Sequence, residues 1–362
     1  MRISLFALGM VFLSSVPFCA FAQELVPEKV ETVKARVIEI ISQETRPIEG
    51  TDVTTDFQTI RVEILEGEKK GEIVTVENDY LVLKEGELFY VRYSFDELYG
   101  IERYAVSEPY RLVPLAILFA LFVAVTLYFG GIQGARGLLS LGASLFFIVA
   151  LLLPGVLKGY SPIWVSIGVA SLIIGIGSYV THGFNKMTTT AVLGMIATVI
   201  FTGLLAHVAI LFTRLSGFAS DESVTLNFNV GGSIDMAGLL LGGVIIGTLG
   251  VLYDAAIGQS VAVEELAKAG PTLSRHSIYT QALRIGREHI GALVNTLAIA
   301  YVGVSLPLLL LFYGFGGESI LFALNREIFA AEIVRTLVGS IGIILAVPIT
   351  TVVAVRMLVK PS

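Results

Sequence analysis

The sequence predicts an α-helical polytopic membrane protein of about seven transmembrane helices, with a small N-terminal all-β extracytoplasmic domain. Three observations carry this. Of 362 residues, 55% are apolar and 15% charged, against about 25% charged in ordinary soluble domains, and the mean hydropathy is +0.81. The charge is divided: residues 24–110 hold 20 acids and 10 bases, while the remainder holds 10 acids and 14 bases. Short alternating runs fill the acidic part, and long apolar runs fill the rest. An acidic head is thus joined to a slightly basic membrane body. Neither has the basic face of a nucleic-acid binder.

Residues 1–22 read as a signal peptide. Arg2 supplies the charge, 3–18 the apolar stretch, and Ala20-Phe21-Ala22 the small-residue cleavage pattern. Cys19, the single cysteine, would leave with it, so no disulfide or cysteine metal site is expected in the mature chain. The head then spans 23–110. Runs at 33–40, 57–65, 73–76 and 89–93 alternate or are rich in β-branched and aromatic residues, and Gly50, Gly67, Gly71 and Gly86 punctuate them as turns. About five short strands predict a small barrel or sandwich. Its acids lie on alternating positions, as a solvated face does, and no calcium loop is present.

The membrane body covers 111–362. Apolar segments near 112–130, 138–157, 161–181, 189–212, 236–253, 290–314 and 333–356 each approach the roughly 20 residues needed to cross a bilayer. A head outside the cytoplasm and seven crossings put the C-terminus inside. The positive-inside rule agrees: Arg136, Lys186, Lys268, Arg275, Arg284, Arg287, Arg356 and Lys360 fall inside, and Lys158, Arg214 and Arg326 outside. The fifth span is rich in glycine, with Gly238, Gly242, Gly243, Gly247 and Gly250. Residues of this size let helices approach closely; a sliding or broken helix also uses them.

Polar groups at depth are the candidate site. Asp254 ends an uncharged run of 18 residues, 236–253. In hydrocarbon an acid costs on the order of 2.5–3.5 kcal/mol, and at the interface almost nothing, so Asp254 is either functional or the end of the span. Asn295 shares a helical face with Gly291 and Glu288 and serves either a site or as hydrogen-bonding glue between helices. His207, inside the fourth span, is a proton-relay candidate or a packing residue. Glu332 and Arg335 open the seventh span one turn apart and are expected to pair or to face the outer surface. The connector 255–289 reads as two helical stretches broken at Gly270-Pro271, a hairpin lying on the inner surface with its arginines toward anionic headgroups. Catalytic motifs are missing, and four scattered histidines make no zinc site. No enzyme activity, cofactor or metal is expected.

The runs Gly242-Gly243-Val244-Ile245-Ile246-Gly247-Thr248-Leu249-Gly250-Val251-Leu252-Tyr253-Asp254 and Ser260-Val261-Ala262-Val263-Glu264-Glu265-Leu266, with Gly286-Arg287 and Asn295-Thr296-Leu297, resemble the YibE/F family of bacterial membrane proteins. The resemblance covers the mature chain and implies a multi-pass protein of the bacterial plasma membrane. Three functions stay open. The first is a secondary permease or exporter using Asp254, Asn295, Glu264, Glu288 and Arg287 between the fifth and sixth spans. The second is a non-transporting subunit or sensor whose acidic head binds a protein partner. The third is an intramembrane enzyme, which lacks any visible nucleophile and base. The expected surroundings are the lipid bilayer and other copies of the chain.

Overall fold

A computed structural model describes residues 29–360 apart from 49, 51–52, 97–98 and 316–318. The signal-peptide segment 1–22, with Cys19, lies outside the described residues. The chain divides into two compact units at residues 121 and 122.

The head holds five strands: β1 (Lys29–Pro47), β2 (Thr54–Ile64), β3 (Ile73–Asn78), β4 (Leu88–Asp96) and β5 (Ile101–Pro109). They form one antiparallel sheet in the order β3-β2-β1-β4-β5, curled into a half-barrel. Of the expected small barrel or sandwich, the single curled sheet answers to the barrel, as half of one, and not to the sandwich. The long central strand explains the shape. β1 pairs with β4 through its first half, Lys29↔Phe95 to Arg36↔Leu88. It pairs with β2 through its second half, Ala35↔Ile64 to Pro47↔Thr54. Bulges between Val37 and Glu39 and between Ile40 and Ser42 add bend and twist to that strand. The concave face closes on Val37, Ile60, Val62, Phe89 and Val91, with Leu83 added from the loop after β3. Gln58, fully buried, pins that loop: its Oε1 accepts from the Leu83 amide at 2.8 Å and its Nε2 donates to the Leu83 carbonyl at 3.0 Å. Asn78 Nδ2 donates to the same Oε1 at 3.2 Å. Lys69, between β2 and β3, straps that turn to β5 by donating to Glu102 at 2.6 Å and to the Tyr104 hydroxyl at 3.0 Å. The Lys69 bond holds the Glu102 carboxyl below its ordinary value and helps raise the lysine's own.

The body is helical. α1 (Leu112–Phe147) runs through a five-residue π turn, Ile148–Leu152, into α2 (Leu153–Leu157). Then follow α3 (Pro162–His182), α4 (Lys186–Thr213), α5 (Asp221–Asn229), α6 (Met236–Ala269), α7 (Arg275–Val304), α8 (Leu306–Phe315), α9 (Ile320–Asn325) and α10 (Glu327–Leu358). α1 is broken at Gly131, with φ 52° and ψ −135°, a conformation open to glycine because it lacks a Cβ. The break brings Gly134 against the Thr126 carbonyl, where a side chain would collide. Among the described residues, five stretches are long and apolar enough to cross a membrane, and six if the bent pair α7–α8 is one span. The sequence windows 112–130 and 138–157 both fall in the first of these stretches, Leu112–Leu157.

α10 is the hub, packing on α4, α6 and α7, while α6 also packs on α3 and α4. Small residues set these approaches. Gly194 of α4 lies against Thr350 of α10, and Gly342 of α10 against Thr202 of α4. Ile174, Met195, Leu241, Ile245 and Ala346 fill the centre. Five helix starts carry their own caps: Asn185 accepts from the Thr188 amide, Ser220 from Ser223, Asp235 from Gly238, Ser274 from Ser277 and Ser319 from Phe322. Glu327, at the start of α10, accepts from the Ser216, Gly217 and Phe218 amides at 2.7–3.1 Å and so ties down the turn after α4.

The connector 255–289 departs from the hairpin of two separate surface helices. Its first part continues α6 without a break and its second part begins α7, so only 270–274 turns. Val263, Ile278, Ala282, Ala354, Val355 and Val359 pack α6, α7 and α10 together there. Arg275 is engaged within the protein: its Nε and a terminal nitrogen donate to the Val359 carbonyl at 2.9 and 2.8 Å. The reason is general. The last carbonyls of a helix lack partners within it, and a guanidinium is a fork of donors suited to them.

Candidate functional site

Asp254 lies in the middle of α6, 18 residues from its first residue, Met236. The helix does not end at Asp254, and no break occurs in the glycine run. Those glycines serve neighbours instead. Gly242 faces Ser166 of α3, and Gly247 leaves room for the Tyr301 hydroxyl of α7, which would sit 2.9 Å from a Cβ there. Gly238 abuts its own Asp235 cap, while Gly243 and Gly250 face open space.

Asp254 lines a cavity of about 160 Å³ between α6, α7 and α10. Ala255, Gly258 and Gln259 line it from α6; Ile285, Gly286, His289 and Leu293 from α7; Val347 from α10. The spacing explains the convergence: 254 and 258 are one turn apart, as are 286, 289 and 293, so each set makes a stripe facing the other helix. Gly286 sets the closeness, since a Cβ would strike Val347 and come within 2.7 Å of Gln259 Oε1. Gln259, 4% exposed, fastens the pair by donating to the Ala282 carbonyl at 2.8 Å. Pro348 follows Val347 in α10 and withholds an amide from the helix ladder there.

The two ionisable groups of this cavity are Asp254 and His289. His289 Nδ1 lies 3.3 Å from the Ile285 carbonyl. As donor in that bond it leaves Nε2 of the neutral ring as an acceptor. Asp254 has no hydrogen bond or ion pair among the described residues. A carboxylate and an imidazole facing a space that holds a few waters, each about 30 Å³ in the liquid, can bind and pass a proton or hold a small cation.

The other sequence candidates stand elsewhere. Asn295 is exposed on α7, about 200° around the helix from Leu293, so it does not share the cavity with Asp254. Arg287 and Glu288 are likewise exposed and outside it. Glu264 lies 10 residues beyond Asp254 and pairs with Lys268 at 3.5 Å. His207 points outward from α4. Glu332 and Arg335 do pair, at 2.9 Å. Neither Gln259 nor His289 is among the sequence candidates. The signal was available in the stripe spacing of 286, 289 and 293.

A family model described as YibE/F-like protein matches residues 118–360. No curated protein and no solved structure matches the chain.

Proposed function

The chain belongs to the YibE/F-like family, and from that premise we propose that it is a multi-pass membrane protein acting as a secondary permease or exporter. Proton exchange at Asp254 and His289 drives the step. The observation that carries the reading is their convergence on one small cavity between α6, α7 and α10. Ionisable groups at such places cost free energy and mark pathways far more often than packing. Seven crossings support the frame. Leu112–Leu157 has 46 residues, roughly 69 Å of helix at 1.5 Å per residue. That is more than twice the ~30 Å hydrocarbon thickness, so the break at Gly131 divides it into two spans, and α7–α8 makes a further one. The head then lies outside the cytoplasm and the C-terminus inside, in a bacterial plasma membrane.

The test is flux. Purified protein in liposomes with an internal pH dye is challenged with pooled metabolites and ions. The expected outcome is substrate-dependent proton movement that Asp254→Asn abolishes while insertion and thermal unfolding stay unchanged. Equal flux in the variant refutes the site. A silent scan with folded protein favours the other reading, a non-transporting subunit whose acidic head holds a protein partner.

A further inference from the structure

Between α2 and α3 the chain turns through Lys158 and Tyr160, and a groove of about 510 Å³ opens between the two arms of this hairpin. Along one arm its lining runs from Ala150 to Lys158, and along the other from Trp164 to Leu172. Each run advances eight residues, roughly 12 Å of helix. Small residues make the room. A Cβ at Gly168 would meet nothing within 4 Å, and Gly155 lets Val165 lie where a side chain would be crowded. Tyr160 and Trp164 are exposed, whereas Val169 is nearly buried. The groove is charged at one end only. Lys158 is the one Asp, Glu, Lys or Arg between Arg136 and Lys186, and its ammonium pairs with nothing among the described residues. Asp235, next to the Ile234 and Met236 that pack on Val156, gives its carboxylate to the Gly238 amide instead.

We propose that this groove binds one anionic phospholipid, with its phosphate at Lys158 and an acyl chain between the two arms. The two ends of the groove ask for different chemistry. A lysine is a compact point charge, and with no acid of the chain beside it, it is answered by an anion. The apolar length answers to hydrocarbon. That length is close to half of the ~30 Å hydrocarbon core, which is the depth of one leaflet. Tyrosine and tryptophan sit at headgroup level in membranes, so Tyr160 and Trp164 put the charged end at the interface and the apolar length among the chains. A soluble anion would meet Lys158 and leave the apolar length unused. A zwitterionic lipid would fill the groove but bring a cation beside the lysine. An anionic phospholipid satisfies both ends.

The groove shares no lining residue with the cavity at Asp254. Lipid preference reads the same from either leaflet and is measured without flux. The inference therefore stands whether or not Asp254 serves transport.

Trp164 is the single tryptophan of the chain, so its fluorescence reports on this groove. The full chain is reconstituted in phosphatidylcholine vesicles that hold a graded fraction of phosphatidylglycerol brominated near the carbonyl end of its chains. A parallel series uses phosphatidylcholine brominated at the same place. Phosphatidylglycerol is expected to quench Trp164 at lower fractions, with an affinity about fivefold above that of phosphatidylcholine, the worth of one lysine near an anionic surface. Lys158→Gln, at an exposed position, is expected to bring that ratio to one, and Lys158→Arg to keep it. Gly168→Leu, which puts a side chain into the open groove, is expected to remove the preference while the unfolding midpoint holds. A ratio of one in the unaltered chain, or a preference that survives Lys158→Gln or Gly168→Leu, overturns the proposal and leaves the groove to ordinary surrounding lipid. Relief of quenching by inorganic phosphate, beyond that given by chloride at equal ionic strength, assigns Lys158 to a soluble anion and overturns it as well.

Discussion

Lys69 and Glu102 show how a single pair records pH in the head. The Lys69 hydrogen bond lowers the Glu102 carboxyl in the folded state. The bond thus contributes stability above the unfolded glutamate value of about 4.3, and that contribution is lost as pH falls through the lower folded value. The protection factor of the β5 amides in the full chain, which is the exchange corrected for its intrinsic pH dependence, is expected to be constant from pH 7 to 5 and to fall below about pH 4. Glu102→Gln should remove that acid-dependent step and leave the rest of the head unaffected. A step of the same size in the variant would place the acid sensitivity elsewhere. Pairings of this kind are not legible in a sequence, because Lys69 and Glu102 are 33 residues apart and only the curl of the sheet brings them together. Asp254 is the opposite case. Its cost in an apolar run is visible from the sequence, whereas its neighbour His289 is visible only once α6 and α7 are seen side by side.

The helices α6 and α7 depend on one close approach. Gly286 has no side chain, and the space of its Cβ is taken by Val347 and Gln259. Gly286→Val should force the two helices apart at an overpacking cost of about 1–3 kcal/mol, read as a lower unfolding midpoint with the head's exchange unchanged. Gly243→Ala, at a position open to space, is the control and should be neutral or slightly stabilising. Arg275→Ala should release the end of α10, read as faster exchange confined to 355–360, because the Val359 carbonyl loses both donors. The helical runs themselves were legible, since their apolar length marks them plainly. The connector was not. A sequence window ends a span at the first charge, but α6 passes Asp254 and continues to Ala269, because its next turns bury Val263 against α7 and α10. The half-barrel was legible as five strands but not as one sheet. The unusual length of β1, which lets it pair with different partners on its two halves, is a tertiary outcome.

The proposed seven crossings would put the two ends of the body on opposite faces of the bilayer. With Cys19 replaced, a cysteine at Tyr99 in the head and another at Lys360 should react with an impermeant maleimide from opposite sides of sealed vesicles. Labelling from the same side would require an even number of crossings and would merge two of the proposed spans. The stiffness of α6 bears on how such a body could work. It is one rod of 34 residues, roughly 51 Å long, with Gly247 against Tyr301 about a third of the way along and the Val263 cluster near its end. Asp254 sits partway between, like a mark on a lever. The tip beyond it is packed on α7 and α10, so the carboxylate sits on a braced rod and not at a free end.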